Sequence, residues 1–191
     1  MKVTIKEENI LFDDFLKIKE GKLQFERFDG SMSPEVRFLK GERGDSVTAI
    51  VWHKTRQKLL FTKQFRYPTF EKGPGWLVEL VAGSMESGED PQACILREVE
   101  EELGYKARQA RLLHQFYSSP GGSSERMFLF YIEVTEEENT YNGGGLDTEN
   151  EDIQLIEWSM EEVWQAYLQG EIQDAKTLIG ILWLKMHTPT P

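Results

Sequence analysis

Glu98, Glu101 and Glu102 follow Arg97 within a few residues of chain, and their spacing is the first sign of chemistry. Asp90 suits an N-cap, Pro91 the first helical position and Gly104 the position just past a helix end, so a helix is predicted over 91–103. At about 100° per residue, Ile95, Leu96, Val99 and Leu103 share one side of that helix. The three glutamates share the other. Glu98 and Glu102 are i,i+4 neighbours, a like-charge pair that costs an isolated helix a few tenths of a kcal/mol. A hard divalent cation such as Mg²⁺ relieves that repulsion, because it takes carboxylate oxygens and is commonly shared with substrate phosphates. The competing reading is an ordinary solvated acidic face.

The wider charge pattern bears on that choice. The 191 residues hold 22 Lys and Arg against 33 Asp and Glu, a net charge of -11. Residues 83–104 account for -6 and residues 133–152 for -8, which leaves the rest of the chain at +3. A mildly basic body thus carries two concentrated acidic segments. The overall sign disfavours nucleic acid and anionic membranes as partners. A single cysteine excludes a disulfide framework and a four-thiolate metal site. The first residues have no apolar leader pattern and the longest apolar runs are too short to span a bilayer, so the chain is read as soluble and cytoplasmic.

The elements that must position the glutamates read as α/β. Residues 15–19 and 22–28 alternate at period two around Gly21, with a turn at Asp29-Gly30, and predict an N-terminal β-meander. Strands are expected over 47–52, 59–66, 76–81, 107–117, 127–134 and 153–158. Ser159 and Glu162 form a capping-box pattern, and Asp174 is placed to cap a last helix from Ala175 to about Met186. Gly143-Gly144-Gly145 lies in a long polar loop of the kind that is functional or disordered.

The lead-in and the helix together resemble the signature of the Nudix hydrolases. Gly83, five residues, Glu89, seven residues, then Arg97-Glu98-Val99-Glu100-Glu101-Glu102-Leu103-Gly104 reproduces it, and only Tyr105 departs, where the family has an aliphatic residue. Outside this box the chain resembles the ADP-ribose pyrophosphatase branch, which also contains GDP-mannose-type nucleotide-sugar hydrolases. The resembling segments are Ser119-Pro120-Gly121-Gly122-Ser123-Ser124-Glu125, with Pro120 sixteen residues after Gly104; Gly144-Gly145-Leu146 with the acidic residues to Ile153; residues 170–177; and Gln64-Phe65-Arg66.

The resemblance implies a Nudix α/β/α sandwich with a mixed central sheet over 44–191 and an antiparallel β extension over 1–43 that serves dimerisation and contacts to the base. It implies hydrolysis of ADP-ribose to AMP and ribose 5-phosphate with two or three Mg²⁺ ions, Mn²⁺ being a substitute, in a homodimer. GDP-mannose or another nucleoside diphosphate sugar is the alternative substrate. A non-catalytic ADP-ribose sensing module is the alternative of another class. Metal ligands are expected at Glu98, Glu102 and the Ala82 carbonyl, with Glu101 as a further ligand or support. The general base is expected at Glu149 first and Glu151 second, the latter alternatively approaching a metal; Glu101 is the remaining candidate. Arg66 and Arg37 are expected on phosphate, Phe15 on the base or else in the core, and Glu125 on ribose hydroxyls. Gly83, Glu89, Arg97 and Gly104 are expected to shape the loop and helix. Cys94 is read as packing. His53, His114 and His187 lack metal-ligand spacing, and Trp158, Trp164 and Trp183 are read as core or interface.

Overall fold

In β4 (Ser46–His53), Val47, Ala49 and Val51 point to one side and Ile50 to the other, and all are fully buried. A strand apolar on both faces needs a layer on each side. The computed structural model, which describes residues 1–146, 148 and 151–187, supplies both. One core packs α1 (Pro91–Leu103) against β4 through Ile95, Val99 and Leu103. The other packs α2 (Met160–Gln169) and α3 (Ala175–His187) through Val163, Ala166, Ile181 and Leu184 onto Ile50, Leu59 and Phe61. The chain divides into two compact units, residues 1–45 with Tyr117–Arg126, and residues 46–116 with 127 onward.

The sheet between these layers is mixed and seven-stranded. Its order is β10 (Gln154–Trp158), β5 (Lys58–Phe65), β4, β9 (Arg126–Val134) and β8 (Arg111–Tyr117), with β4 and β9 parallel. β4 and β5 pair only through Val51–His53 and Lys58–Leu60, and then splay. The wedge is filled by β6 (Trp76–Glu79) on β5 and β7 (Val81–Ser84) on β4. The single strand expected over 76–81 is therefore two strands broken at Leu80. The break has a tertiary cause: the Leu80 N–H leaves the ladder and donates to Thr177 Oγ1 on α3 at 2.8 Å.

The N-terminal unit is a three-stranded antiparallel sheet, β1 (Val3–Phe12), β2 (Lys17–Phe25) and β3 (Val36–Glu42). Here the two alternating segments expected around Gly21 join into one strand. Gly21 sits mid-strand opposite Glu8 and Phe38, and the alternation on its two sides belongs to one continuous strand. The turn at Asp29-Gly30 is present, with Gly30 at φ 82°.

α1 begins and ends where its caps place it. Asp90 accepts a hydrogen bond from the Ala93 N–H, and Gly104 closes the helix at φ 78°. Its last carbonyls are then satisfied by the glycine-rich loop: Gly144 N–H donates to Glu102 O at 3.0 Å, Gly145 N–H to Glu101 O at 3.1 Å and Thr140 N–H to Gly104 O at 2.8 Å. A Cβ on Gly104 would collide with the Tyr141 carbonyl. Gly104→Ala is thus expected to destabilise the fold by about 2 kcal/mol or more, from the left-handed conformation and the clash together; denaturant unfolding measures it, and a midpoint like the wild type's would contradict the assignment.

Candidate active site

The wedge strands and α1 meet beneath the glutamates. β7 carries Ala82 and Gly83, α1 packs over it, and Gly83 is where helix and strand come closest. A Cβ there would occupy the position of the Glu98 carboxylate. Gly83 is therefore required by close approach, not by its backbone angles. The Ala82 amide hydrogen-bonds to the Glu102 carboxylate. Even so, Glu102 Oε2 is buried and has no hydrogen-bond partner among the described residues. An orphaned carboxylate oxygen beside a second buried carboxylate is a costly arrangement that calls for a cation or a proton.

Burial pushes the Glu98 carboxyl up to about 7, with Glu101 and Glu151 adding to the rise and Arg97 opposing it. Glu102 is driven well above the ordinary carboxylate range by burial and then by Glu98 and Glu151, against partial relief from Arg66 and the Ala82 amide. Arg97 is the local counter-charge, with Nη1 2.8 Å from both Glu98 Oε1 and Glu101 Oε2 and Nε 3.4 Å from Glu89 Oε1. Glu89 in turn accepts the Glu86 N–H at 2.9 Å, which ties the loop before α1 to the same arginine.

The acidic loop after residue 140 also enters the site. Leu146 N–H donates to Glu151 Oε2 at 3.0 Å, and a Cβ on Gly145 would strike that carboxylate. Glu151 is close enough for its charge to act on both Glu98 and Glu102. Glu149 lies outside the described residues. Arg66, at the end of β5, is held by Glu79 through paired hydrogen bonds of 2.9 Å, and its charge also reaches Glu102. Among the described residues no three His, Cys, Asp or Glu side chains already converge in metal-ligand geometry. The site is a gathered set of hard oxygen donors with one arginine facing it.

The other substrate candidates belong to the N-terminal unit. Arg37 is exposed on β3 and paired with Glu20. Phe15 is 80% exposed, with the Arg43 guanidinium 5.2 Å from its ring centre, so a core role within this chain is excluded. Glu125 accepts the Ser118 hydroxyl at 2.7 Å. Tyr105, the one departure from the signature, is buried edge-on against His53 and fills the aliphatic slot as core. Cys94 is buried, and burial together with Glu89 pushes its thiol up to about 12, in keeping with packing. Sequence reasoning gave no role to Glu79 or Lys176, which are both buried, Glu79 bonded to Arg66 and Lys176 to Glu79. Their only signal was a charged residue inside an otherwise apolar strand and helix.

Comparison with known proteins agrees with this geometry. The NUDIX domain family model matches residues 42–178. A GDP-mannose pyrophosphatase of Klebsiella pneumoniae subsp. pneumoniae is 30% identical over 187 residues, 97% of this chain and 92% of that protein. A GDP-mannose pyrophosphatase of Enterobacter sp. (strain 638) is 30% identical over 188 residues, 97% of this chain and 96% of that protein. A crystal structure of an ADP compounds hydrolase superposes with a TM-score of 0.75 over 100% of this chain and 98% of that one, at 16% identity, and shares the fold. With glutamates, close-approach glycine and arginine standing where the signature puts them, this chain belongs to the Nudix family and is a hydrolase.

Proposed function

We propose that the chain hydrolyses the diphosphate linkage of a nucleoside diphosphate sugar with the help of Mg²⁺. The observation that carries this reading is the buried Glu102, one of whose oxygens lacks a partner among the described residues, beside the half-buried Glu98 and within reach of the charge of an arginine already oriented by Glu79. These donors fit a hard cation: all are oxygens, and Gly83 leaves the space that Glu98 occupies. Glu98, Glu102 and the Ala82 carbonyl would hold Mg²⁺, with Glu101 supporting. When bound there, Mg²⁺ neutralises the diphosphate and makes its phosphorus more electrophilic.

The remaining work falls to the protein's side chains. Arg66 suits bidentate contact with a phosphate. A carboxylate on the acidic loop, Glu149 or Glu151, accepts a proton from the attacking water as its oxygen bonds to phosphorus. The bridging P–O bond then breaks and its electrons leave with the second phosphate, which gives a nucleoside monophosphate and a sugar phosphate. Glu101 is less suited to this task because Arg97 already engages it.

Within this substrate class two readings have support. The loop carrying Pro120 favours ADP-ribose, and the names of the relatives at 30% identity favour GDP-mannose. The intact glutamate set favours turnover over a sensing module. Exposed apolar residues along β1, among them Val3, Ile5, Ile10 and Leu11, favour a homodimer in which the N-terminal sheet is covered by a second copy.

A product assay on ADP-ribose, GDP-mannose and other nucleoside diphosphate sugars with Mg²⁺ tests the proposal, and tight binding without turnover of any would favour the sensor instead. Glu98→Gln is expected to lower turnover about 100-fold or more with the fold kept; wild-type activity at saturating Mg²⁺ would remove Glu98 from the metal site.

The raised Glu98 carboxyl also sets a sign. Its folded value, about 7, lies above the ordinary glutamate value of 4.5, so its contribution to the metal-free fold is full below about 4.5 and is lost as pH rises through about 7. Mg²⁺ binds the ionised form, so its uptake near neutral pH should release protons, and the release should fade by about pH 8.5. Calorimetry in buffers of different ionisation heat reads this directly, and heats independent of buffer would contradict it. For the base, Glu149→Gln and Glu151→Gln, made separately, should give one large loss in kcat with KM little changed. If neither does so, the base passes to Glu101.

A further inference from the structure

The most buried charges outside the glutamate site lie behind Arg66. Glu79 is 2% exposed and Lys176 7%. Glu79 Oε1 accepts Arg66 Nε and Oε2 accepts Nη2, both at 2.9 Å, and Lys176 Nζ donates to the same Oε2. Lys176 also lies 3.0 Å from Asp174 Oδ2. That oxygen accepts Thr177 N–H at 3.0 Å and its hydroxyl at 2.6 Å, and Thr177 Oγ1 accepts the Leu80 N–H. The first turn of α3 is thus fastened to the strand break that separates Glu79 from Ala82. Gly180 lets α3 sit this close, since a Cβ there would come within 2.6 Å of Leu80 Cδ1.

A buried ionic cluster is weak evidence for stability, because desolvation offsets most of the attraction. What it does fix is direction. The side-on pair with Glu79 takes the Nε and Nη2 edge of Arg66 and leaves Nη1 outside it, on a guanidinium whose charge reaches Glu102. Lys176, by occupying the same Glu79 oxygen, holds that carboxylate in the plane that the pair requires.

We propose that Lys176 and Glu79 are positioning residues for diphosphate recognition, Lys176 anchoring Glu79 and Glu79 aiming the Arg66 guanidinium at the substrate phosphate. This rests on the reading of Arg66 as a phosphate contact. Neither residue touches substrate; both act through Arg66.

Steady-state kinetics on ADP-ribose and on GDP-mannose, with Mg²⁺ varied, test this in Lys176→Met, Glu79→Gln, Arg66→Ala and the two doubles with Arg66→Ala. Each single variant should raise KM about tenfold with a much smaller change in kcat and an unchanged Mg²⁺ requirement. In the Arg66→Ala background the Lys176 and Glu79 changes should add little. Glu79→Gln keeps the native shape and carries the test should Lys176→Met fail to fold. Full multiplicative losses in the Arg66→Ala background would overturn the proposal, as would unchanged KM in Lys176→Met and Glu79→Gln beside a raised KM in Arg66→Ala. Wild-type KM in Arg66→Ala would overturn the phosphate reading, and the positioning role with it.

Discussion

Two carboxylates forced out of water on one helix face are the constraint around which the catalytic unit is built. Glu98 and Glu102 each lose hydration, and neighbouring carboxylates add to each one's tendency to hold a proton, Glu101 and Glu151 for Glu98 and Glu98 and Glu151 for Glu102. The surrounding residues share out the compensation. Arg97 neutralises the solvent side by bridging Glu89, Glu98 and Glu101, while the Ala82 amide serves Glu102 from below. Compensation stops short of completion at Glu102 Oε2. A fully satisfied cluster would have no reason to bind a cation, so under the proposed function the shortfall is the feature that links this fold to its chemistry.

Keeping such a face in place demands a rigid helix, and both ends of α1 show how that is met. Asp90 and Pro91 set its start by local rules. Its end is held from a distance, by amides of Gly144 and Gly145 that occupy carbonyls of Glu101 and Glu102. The same loop continues to Glu151, so the element that closes the helix also delivers an acidic group to the site. Capping of the helix and placement of Glu151 are coupled there: a loop that moved away would expose helix carbonyls as well as remove the carboxylate.

What could be read in the sequence was what depends on near neighbours. The caps of α1, the capping box of α2 and the β-rich run of β4 are all decided within a few residues, and each falls where the chain alone puts it. The glutamate spacing carries the first half of the site for the same reason. Gly21 does not interrupt the alternation on its two sides because its backbone angles are those of a strand, and β2 runs through it. The strand break at Leu80 was invisible because its cause, Thr177, stands 97 residues away. Glu79 and Lys176 share that separation, so neither could be paired with Arg66 before the sheet and α3 were assembled.

That separation has a physical consequence for how the two halves of the site are held. The acidic half is fixed by α1 on one face of the sheet, and Arg66 is fixed through Glu79 by α3 on the other. The wedge of β6 and β7 joins them, since it carries Glu79 before the break and Ala82 with Gly83 after it. Opposite charges left to themselves would close on each other, and under the proposed function Arg66 falling onto Glu102 would leave no room for a diphosphate. Anchoring the guanidinium edge to Glu79, itself held by Lys176, keeps positive and negative groups apart while each is already oriented. The buried ionic cluster behind Arg66 therefore contributes less to the stability of the fold than to the separation of charge across the site.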